Sequence, residues 1–210
     1  MNDKMFSCFR KKNVVIPTEF IDEPLNDEIV RRLRNVKKIN FGVNFNCPIM
    51  NLPNSIESIM FHGGSFNYSI DNLPNNLKIL FLCSRYNLPL DYLPQGLEIL
   101  MFQCGSIYSY RLDNLPSSLK VLEIPIIYNH EIDCLPDSIE DLRIGVKVAS
   151  NDENMYIKET ISFCNEGDGI LFNKRIKKFP ANLKKLIIFS DYEFLDELIQ
   201  KLGNKLVIKK

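Results

Sequence analysis

The chain has 210 residues, of which 45% are apolar and 25% are charged, a composition typical of a folded domain. Lys and Arg together number 26, as do Asp and Glu, so the formal net charge is zero. This balance argues against a nucleic acid or an anionic membrane as partner, because both are bound through a surplus of positive charge. No apolar run reaches membrane-spanning length and the N-terminus lacks the apolar core of a secretory signal, so we expect a cytoplasmic protein.

Residues 1–35 precede the first repeated element, and we interpret them as an N-terminal cap. Within this segment Asp27–Leu33 has the composition of one short helix. From residue 36 to residue 190 the chain is dominated by an internal repeat. We assign residues 191–210 to a C-terminal cap.

The repeat is a nine-residue pattern that begins with Phe or Tyr, has Asn second in all copies but one, and ends in Pro. Six copies are present, and their prolines lie 21, 20, 22, 20 and 44 residues apart, at Pro53, Pro74, Pro94, Pro116, Pro136 and Pro180. The last interval equals two units of 22 residues. A period of this length indicates a stack of equivalent units rather than a closed globule.

Each proline is followed by apolar residues whose last two members alternate with a variable residue, as in Ile56, Ile59 and Phe61. One further copy without the proline precedes them at Val36, Ile39 and Phe41. Alternation predicts a strand with one buried face. A unit of 20–22 residues has room for one short strand and a return loop, and one strand cannot bury its apolar face alone. The predicted fold class is therefore an α/β-type repeat solenoid, mostly β, a leucine-rich-repeat-like right-handed stack with a parallel concave sheet and a C-terminal capping helix.

Two repeated residue types have predicted structural roles. We expect the aromatic residues to stack as a buried spine on the side away from the sheet; they are Phe45, Phe66, Tyr86, Tyr108, Tyr128 and Phe172. We expect the asparagines to form a ladder whose amides cap unpaired backbone groups of the loops; they are Asn46, Asn67, Asn87, Asn129 and Asn173.

The regular period is interrupted at about residues 145–171, where we favour a degenerate repeat with a strand at Ile161–Phe163 over a plain insertion. Beyond the repeats, Asp191 is predicted to cap a helix that ends at Gly203. The helix would present one apolar face, formed by Phe194, Leu195, Leu198, Ile199 and Leu202. Leu206–Ile208 is predicted to add a final strand.

The repeated residues resemble FNIP repeats, the short leucine-rich-repeat variants of amoebae and of the giant viruses that infect them. The resemblance covers Phe41 to Ile188, and the segment Phe45-Asn46-Cys47-Pro48-Ile49 comes very near the motif that names the family. The proline at the fourth position of this motif, Pro48 in this copy, is replaced in four other copies, at Ser69, Arg111, Glu131 and Arg175. For a viral member, the expected location is the host cytoplasm.

Members of this family often carry an N-terminal F-box, which docks onto a ubiquitin-ligase scaffold. The 35 residues before the first repeat strand are too few for that module, so a link to the ubiquitin pathway would require a second chain. The repeats also resemble short bacterial repeats of the Leu-Pro-x-x-Leu type. Some proteins with those repeats carry a catalytic ubiquitin-ligase domain. The repeats leave no room for such a domain here.

Candidate chemistry is sparse. His62 and Cys83 occupy the same position on neighbouring predicted strands, where they are expected to lie side by side on the outward sheet face. A thiol beside an imidazole is the minimum of a Cys-His nucleophile, but no third orienting residue and no oxyanion device accompany it. Two ligands are also too few for a zinc site. We therefore predict no enzyme activity, no cofactor and no metal.

The predicted functional surface is the concave sheet face, where an apolar patch with polar flanks marks an interaction site. The predicted partner-binding residues are Met60, His62, Ile79, Phe81, Ile99, Met101, Gln103, Val121, Glu123 and Arg143. The leading hypothesis is a non-catalytic module that binds another protein, with recruitment of ubiquitin-ligase substrates as one use. The alternatives are a Cys-His thiol enzyme and a self-associating structural protein, in which a homodimer forms through the concave face or a cap.

Overall fold

The computed structural model describes residues 18–62, 64–103, 105–145 and 171–209. Within these ranges nine strands form one parallel sheet whose spatial order follows the chain. The strands are β1 (Thr18–Ile21), β2 (Lys38–Phe41), β3 (Ser58–Phe61), β4 (Ile79–Leu82), β5 (Ile99–Phe102), β6 (Val121–Ile124), β7 (Asp141–Ile144), β8 (Lys185–Phe189) and β9 (Leu206–Lys209). The helical elements are α1 (Asp27–Arg32), a 3₁₀ turn at Leu33–Asn35, α2 (Leu195–Leu202) and a 3₁₀ turn at Gly203–Lys205. The predicted mostly-β repeat solenoid is confirmed.

Core packing repeats from strand to strand. Ile39 lies opposite Ile59, which in turn lies opposite Leu80. Equivalent core residues therefore form columns that run perpendicular to the strands. The first column contains Ile39, Ile59, Leu80, Leu100, Leu122, Leu142 and Leu186, and the second contains Phe41, Phe61, Leu82, Phe102, Ile124, Ile144 and Ile188. Burying one such side chain stabilises the fold by about 1.5–3 kcal/mol, and the neighbouring repeat supplies part of that cover.

The repeat prolines start the turn that leads into each strand. The carbonyl oxygen of Pro53 accepts a hydrogen bond from the backbone N–H of Ile56 at 3.1 Å, and Pro74 does the same for Leu77 at 3.0 Å. Proline has no N–H to leave unpaired, and it biases the residue before it toward extended geometry. The same bond recurs after Pro94, Pro116, Pro136 and Pro180.

The predicted aromatic spine is present. The rings of Phe45 and Phe66 have centroids 5.9 Å apart, and Phe66 lies 6.1 Å from Tyr86. The stack continues through Tyr108 and Tyr128 at spacings of 6.5 Å. Phe172 is also buried, and it stacks on Tyr192 at 5.9 Å. The residue Tyr192 extends the spine and was not predicted from the sequence, because it lies outside the repeat pattern.

Asparagine side chains join neighbouring repeats. The Oδ1 atom of Asn67 accepts a hydrogen bond from the backbone N–H of Asn87 at 2.9 Å, and Oδ1 of Asn87 accepts from the N–H of Ser109 at 2.9 Å. The amides of these two asparagines therefore satisfy backbone donors of the following repeat. This hydrogen bonding is the predicted ladder at two of its steps.

A second ladder is electrostatic and was not predicted. The residue two positions before the first core residue of each strand alternates in charge along the stack, as Lys37, Glu57, Lys78, Glu98, Lys120, Glu140 and Lys184. Lys37 pairs with Glu57 at 2.6 Å, and Glu98 pairs with both Lys78 at 3.3 Å and Lys120 at 2.7 Å. These pairs are exposed, so each contributes about 0–1 kcal/mol.

The N-terminal end carries a strand that the sequence analysis missed. β1 pairs with β2, and Glu19 lies opposite Ile39 where other strands place a core residue. Its carboxylate pairs with Arg32 at 2.7 Å. A charge at a core position breaks the apolar alternation, which explains why the pattern did not reveal this strand. The predicted helix is observed as α1, and Oδ1 of Asn26 caps it by accepting from the N–H of Ile29 at 2.9 Å.

At the C-terminal end, the helix and the final strand are observed. The prediction that Asp191 caps the N-terminus of this helix is wrong. Asp191 accepts a hydrogen bond from Ser190, and α2 begins four residues later with no side-chain cap. Leu198 is buried, whereas Ile199 is largely exposed, because a helix of eight residues packs only a narrow face against the sheet end. Gly203 ends the helix with a φ of +50°.

The predicted repeat at Ile161–Phe163 lies outside the described residues. β7 pairs directly with β8, with Leu142 opposite Leu186. In the same junction, the N–H of Phe172 donates to the carbonyl of Ile126 at 2.5 Å. The repeat that ends in β8 therefore stacks on the repeat that ends in β7.

The spine tyrosines differ in what their hydroxyls contact, and this difference predicts opposite effects of the same substitution. The Tyr128 hydroxyl accepts from the N–H of Leu112 at 3.1 Å, whereas the buried Tyr86 hydroxyl has no hydrogen-bond partner among the described residues. We expect Tyr128→Phe to lower the free energy of unfolding by about 1–2 kcal/mol, since it orphans a buried donor. Tyr86→Phe should be neutral or stabilising. Urea unfolding of the two variants tests this, and equal losses would contradict it.

Candidate functional site

The face of the sheet opposite the core is called here the outer face. It consists of the strand residues that alternate with the two core columns, and these residues also form two columns. One contains Asn40, Met60, Phe81, Met101, Glu123, Arg143 and Ile187. The other contains Lys38, Ser58, Ile79, Ile99, Val121, Asp141 and Lys185.

The predicted apolar patch lies on this face, but it is less exposed than expected. Ile79, Phe81, Ile99 and Met101 are half-buried. The remaining apolar members, Met60 and Val121, are buried. Strands about 4.8 Å apart place side chains of one column in contact with one another, so large residues cover their neighbours on both sides. The result is a tightly packed apolar surface on which only the ends of the side chains are exposed.

Cys83 does not lie on the outer face, and its predicted pairing with His62 is wrong. Its side chain is fully buried in the core, and its thiol donates to the carbonyl of Phe66 at 3.3 Å. β4 ends at Leu82, so the alternation of the strand no longer applies to the next residue. Burial raises the pKa of Cys83, which keeps the thiol protonated and unreactive.

His62 remains at the edge of the outer face and has a different neighbour. Its ring stacks on Phe20 of β1, with centroids 6.2 Å apart, and Phe20 is itself 58% exposed. Burial lowers the pKa of His62, and the positive charge of Lys38 lowers it further. The imidazole is therefore neutral near pH 7 and acts as a flat apolar and hydrogen-bonding surface. The contact was missed because β1 was missed.

Gln103, which was predicted to contact a partner, supports the backbone instead. Its side-chain Oε1 atom accepts a hydrogen bond from the backbone N–H of Ser84 at 3.1 Å. Its backbone N–H donates to the carbonyl of Leu82 at 2.7 Å. This amide fixes the loop that leaves β4. A role in contacting a partner would therefore be secondary to a structural one.

The charged members of the outer face meet at β6 and β7. Arg143 binds Asp141 through Nη2 at 2.9 Å and Nε at 3.3 Å, and both side chains are mostly buried. Glu123 lies opposite Arg143 in the register and is only 6% exposed. Its Oε2 atom is buried and has no hydrogen-bond partner among the described residues. Burial raises the pKa of Glu123 to about 7, while Arg143 lowers it and Asp141 raises it.

Nothing in the described ranges forms a metal centre, since no three His, Cys, Asp or Glu side chains there come together in a way that could hold an ion. The helices in these ranges have six and eight residues, too short to cross a bilayer. The arrangement offers a packed apolar surface with a charged cluster at one side. Such a surface is suited to contact with another macromolecule.

Comparisons with known proteins agree with this architecture. The family model described as FNIP Repeat matches residues 34–64 and 48–85. The solved structure of CroV588, described as a novel circular LRR protein, is similar over 82% of this chain, with a TM-score of 0.60 and 22% sequence identity. The chain spans 23% of the length of that structure. No curated protein matches the sequence.

The buried position of Cys83 predicts the order of thiol reactivity. Cys134 is exposed, Cys47 is half-buried and Cys83 is fully buried. We expect Cys83 to react with iodoacetamide more slowly than Cys134 by on the order of a hundredfold, because its reaction requires local opening. Peptide mapping by mass spectrometry after timed alkylation measures this. A Cys83 that reacts fastest would contradict the structure and restore the Cys-His hypothesis.

The raised pKa of Glu123 predicts a pH-dependent cost to stability. Because the folded protein holds this proton more tightly than the unfolded chain, Glu123 lowers the free energy of unfolding as pH rises from about 4.5 to about 8. The full effect is on the order of 3 kcal/mol. Glu123→Gln should remove this dependence, so the variant gains stability relative to wild type as pH increases. Urea unfolding at several pH values tests it, with the exposed Glu140→Gln as control.

Proposed function

We propose that this chain, an FNIP and leucine-rich-repeat-like repeat protein, is a non-catalytic module that binds another protein through the outer face of its sheet. Repeat folds of this type are generally protein-interaction scaffolds, because a stack presents one side chain of each kind per unit along an extended surface. The observation that carries the proposal is the outer face itself. It combines a central apolar surface with charged residues at its side.

The apolar centre supplies the contact area. Phe81 lies opposite Met101, and Ile79 lies opposite Ile99, so four large side chains form a continuous patch across β4 and β5. They are held in place by the column packing and therefore lose little side-chain entropy on binding. Pre-ordered aromatic and methionine side chains of this kind are typical anchors of protein interfaces.

The charged side of the face would provide orientation. The Asp141–Arg143 pair and Glu123 lie beside the apolar centre on β6 and β7, while His62 and Ser58 lie on its other side. Polar residues at a rim favour one register of the partner over others. A partner with an apolar centre and complementary charges at one end would fit.

Two competing functions have less support. A thiol enzyme would need Cys83 beside His62, whereas Cys83 is enclosed in the core and His62 stacks on Phe20. Self-association through the outer face would use the same apolar patch as a foreign partner. The same variants therefore test both, and solution size separates them.

The cellular role follows the family resemblance. We propose binding in the cytoplasm, which the free thiols of Cys47, Cys83 and Cys134 favour, since reduced cysteines are usual in that compartment. We also propose that the bound protein is recruited to a ubiquitin ligase. This part of the proposal is supported only by the resemblance to FNIP proteins that carry an F-box.

The test is affinity capture from amoebal lysate with wild type and two double variants. Phe81→Glu/Met101→Glu places charges in the apolar centre and should reduce recovery of specific partners at least about tenfold, because a charge buried at an interface is strongly unfavourable. Met50→Glu/Tyr92→Glu makes the same kind of change in the return loops, where Met50 is 61% and Tyr92 is 72% exposed, and should have no effect.

Proteins that are captured equally by wild type and the outer-face variant would refute binding through this face. Sizing of the purified chain accompanies the capture. A wild type that dimerises while the outer-face variant is monomeric would replace the proposed foreign partner with a second copy of the chain.

A further inference from the structure

We propose that the outer face binds a segment that inserts a lysine or arginine side chain over Met101 to reach the carboxylate of Glu123, with apolar residues of the segment on either side. This inference rests on the proposed function and names the chemistry of the partner. It assigns Glu123 as the residue that determines specificity.

The side chain of Glu123 points toward the outer face. Its neighbours in β6, Leu122 and Ile124, both point into the core and are fully buried, so Glu123 must point to the opposite side. The side chain is nevertheless almost entirely covered, and its Oε2 atom has no hydrogen-bond partner among the described residues. A carboxylate oxygen in this state retains its full capacity to accept a hydrogen bond.

Among the described residues of β6 to β8, the cationic side chains of the outer face lie on the β7 and β8 side of Glu123. Arg143 of β7 faces Glu123, but its guanidinium makes two bonds to Asp141. The trio of Glu123, Asp141 and Arg143 carries a charge of minus one when both carboxylates are ionised. Lys185 of β8 lies in register with Asp141, two strands away from Glu123. One further positive charge would balance the site.

The other side of Glu123 is apolar. β5 presents Ile99 and Met101 next to β6, and neither side chain offers a donor. A lysine or arginine of a bound segment has the complementary character, because its aliphatic stem packs on apolar side chains while its end seeks an acceptor. The stem would lie on Met101 and the end would meet Glu123. The adjacent positions of the segment would contact Phe81 and Val121.

The raised pKa of Glu123 is consistent with this arrangement, since burial without a matched donor penalises the ionised form. A bound cation would reverse that penalty by stabilising the carboxylate. Charge-assisted hydrogen bonds of this type are roughly twice as strong as neutral ones. Because the Oε2 atom would otherwise stay without a hydrogen-bond partner, a segment lacking the basic residue would bind more weakly.

The test is selection of random heptapeptides displayed on phage against the full chain. Wild type should select peptides with lysine or arginine at one position between apolar residues, and Glu123→Gln should lose that basic preference while it keeps the apolar one. Glu140→Gln, which alters an exposed carboxylate outside the outer face, should select the same peptides as wild type.

A synthetic peptide from the selected pool then isolates the contact. Replacement of its basic residue by norleucine should weaken binding to wild type about tenfold or more and to Glu123→Gln by less than about twofold. Thermal unfolding establishes that each variant is folded. If Glu123→Gln does not fold, the norleucine comparison on wild type alone decides.

The outcomes separate this inference from the proposed function. Wild-type peptides that are apolar without a basic preference, and that Phe81→Glu no longer binds, would refute the role of Glu123 and support the binding face. An equal loss from norleucine on wild type and on Glu123→Gln would refute it as well. Peptides that bind Phe81→Glu as tightly as wild type, or the selection of none by wild type, would count against both.

Discussion

No repeat of this chain can bury its apolar side alone, and each is covered by the repeat before it and the repeat after it. The core columns are the physical expression of this constraint, because every Leu, Ile or Phe in them packs against its equivalents one strand away. The aromatic spine repeats the arrangement on the loop side, at centroid spacings of 5.9–6.5 Å. Proline turns, asparagine bonds and alternating charges are all additions to this one scheme of nearest-neighbour contact.

The same constraint explains how the ends differ from the middle. Where the described repeats end, elements of another kind adjoin their apolar side chains. At the N-terminal end β1 places Glu19 at a core position, where Arg32 neutralises it. At the C-terminal end α2 and β9 follow the last repeat, and Leu198 of the helix joins the core.

The outer face owes its properties to the columns as well. The strand spacing that buries the core also presses the outer side chains together, so Phe81 and Met101 are half-covered and Glu123 is almost fully covered. A carboxylate whose Oε2 atom has no hydrogen-bond partner among the described residues costs stability, and the fold tolerates that cost beside its most apolar surface. The Oε2 atom of Glu123 is a carboxylate oxygen of the outer face that is buried without a hydrogen-bond partner among the described residues. The proposals for this protein therefore concern the outer face.

The sequence by itself determined the period, the strands β2 to β8, the parallel sheet and the aromatic spine. It did so because each repeat contains the same local pattern. Within each strand, apolar residues at every second position identify which face of the strand is buried. Two predictions that rested on local sequence alone were wrong. Asp191 was assigned as a cap from residue type, and Cys83 was placed on the outer face by extending the alternation one residue past Leu82.

Only the tertiary structure showed the features that the repeat pattern does not encode. β1 is invisible to periodicity because Glu19 occupies a core position, and its charge is acceptable only because Arg32 lies beside it in space. The burial of Glu123 likewise depends on side chains from three strands, since nothing in the local sequence of β6 distinguishes a covered carboxylate from a solvated one. Period and alternation are properties of the chain, whereas burial and ion pairing are properties of neighbours far apart in sequence.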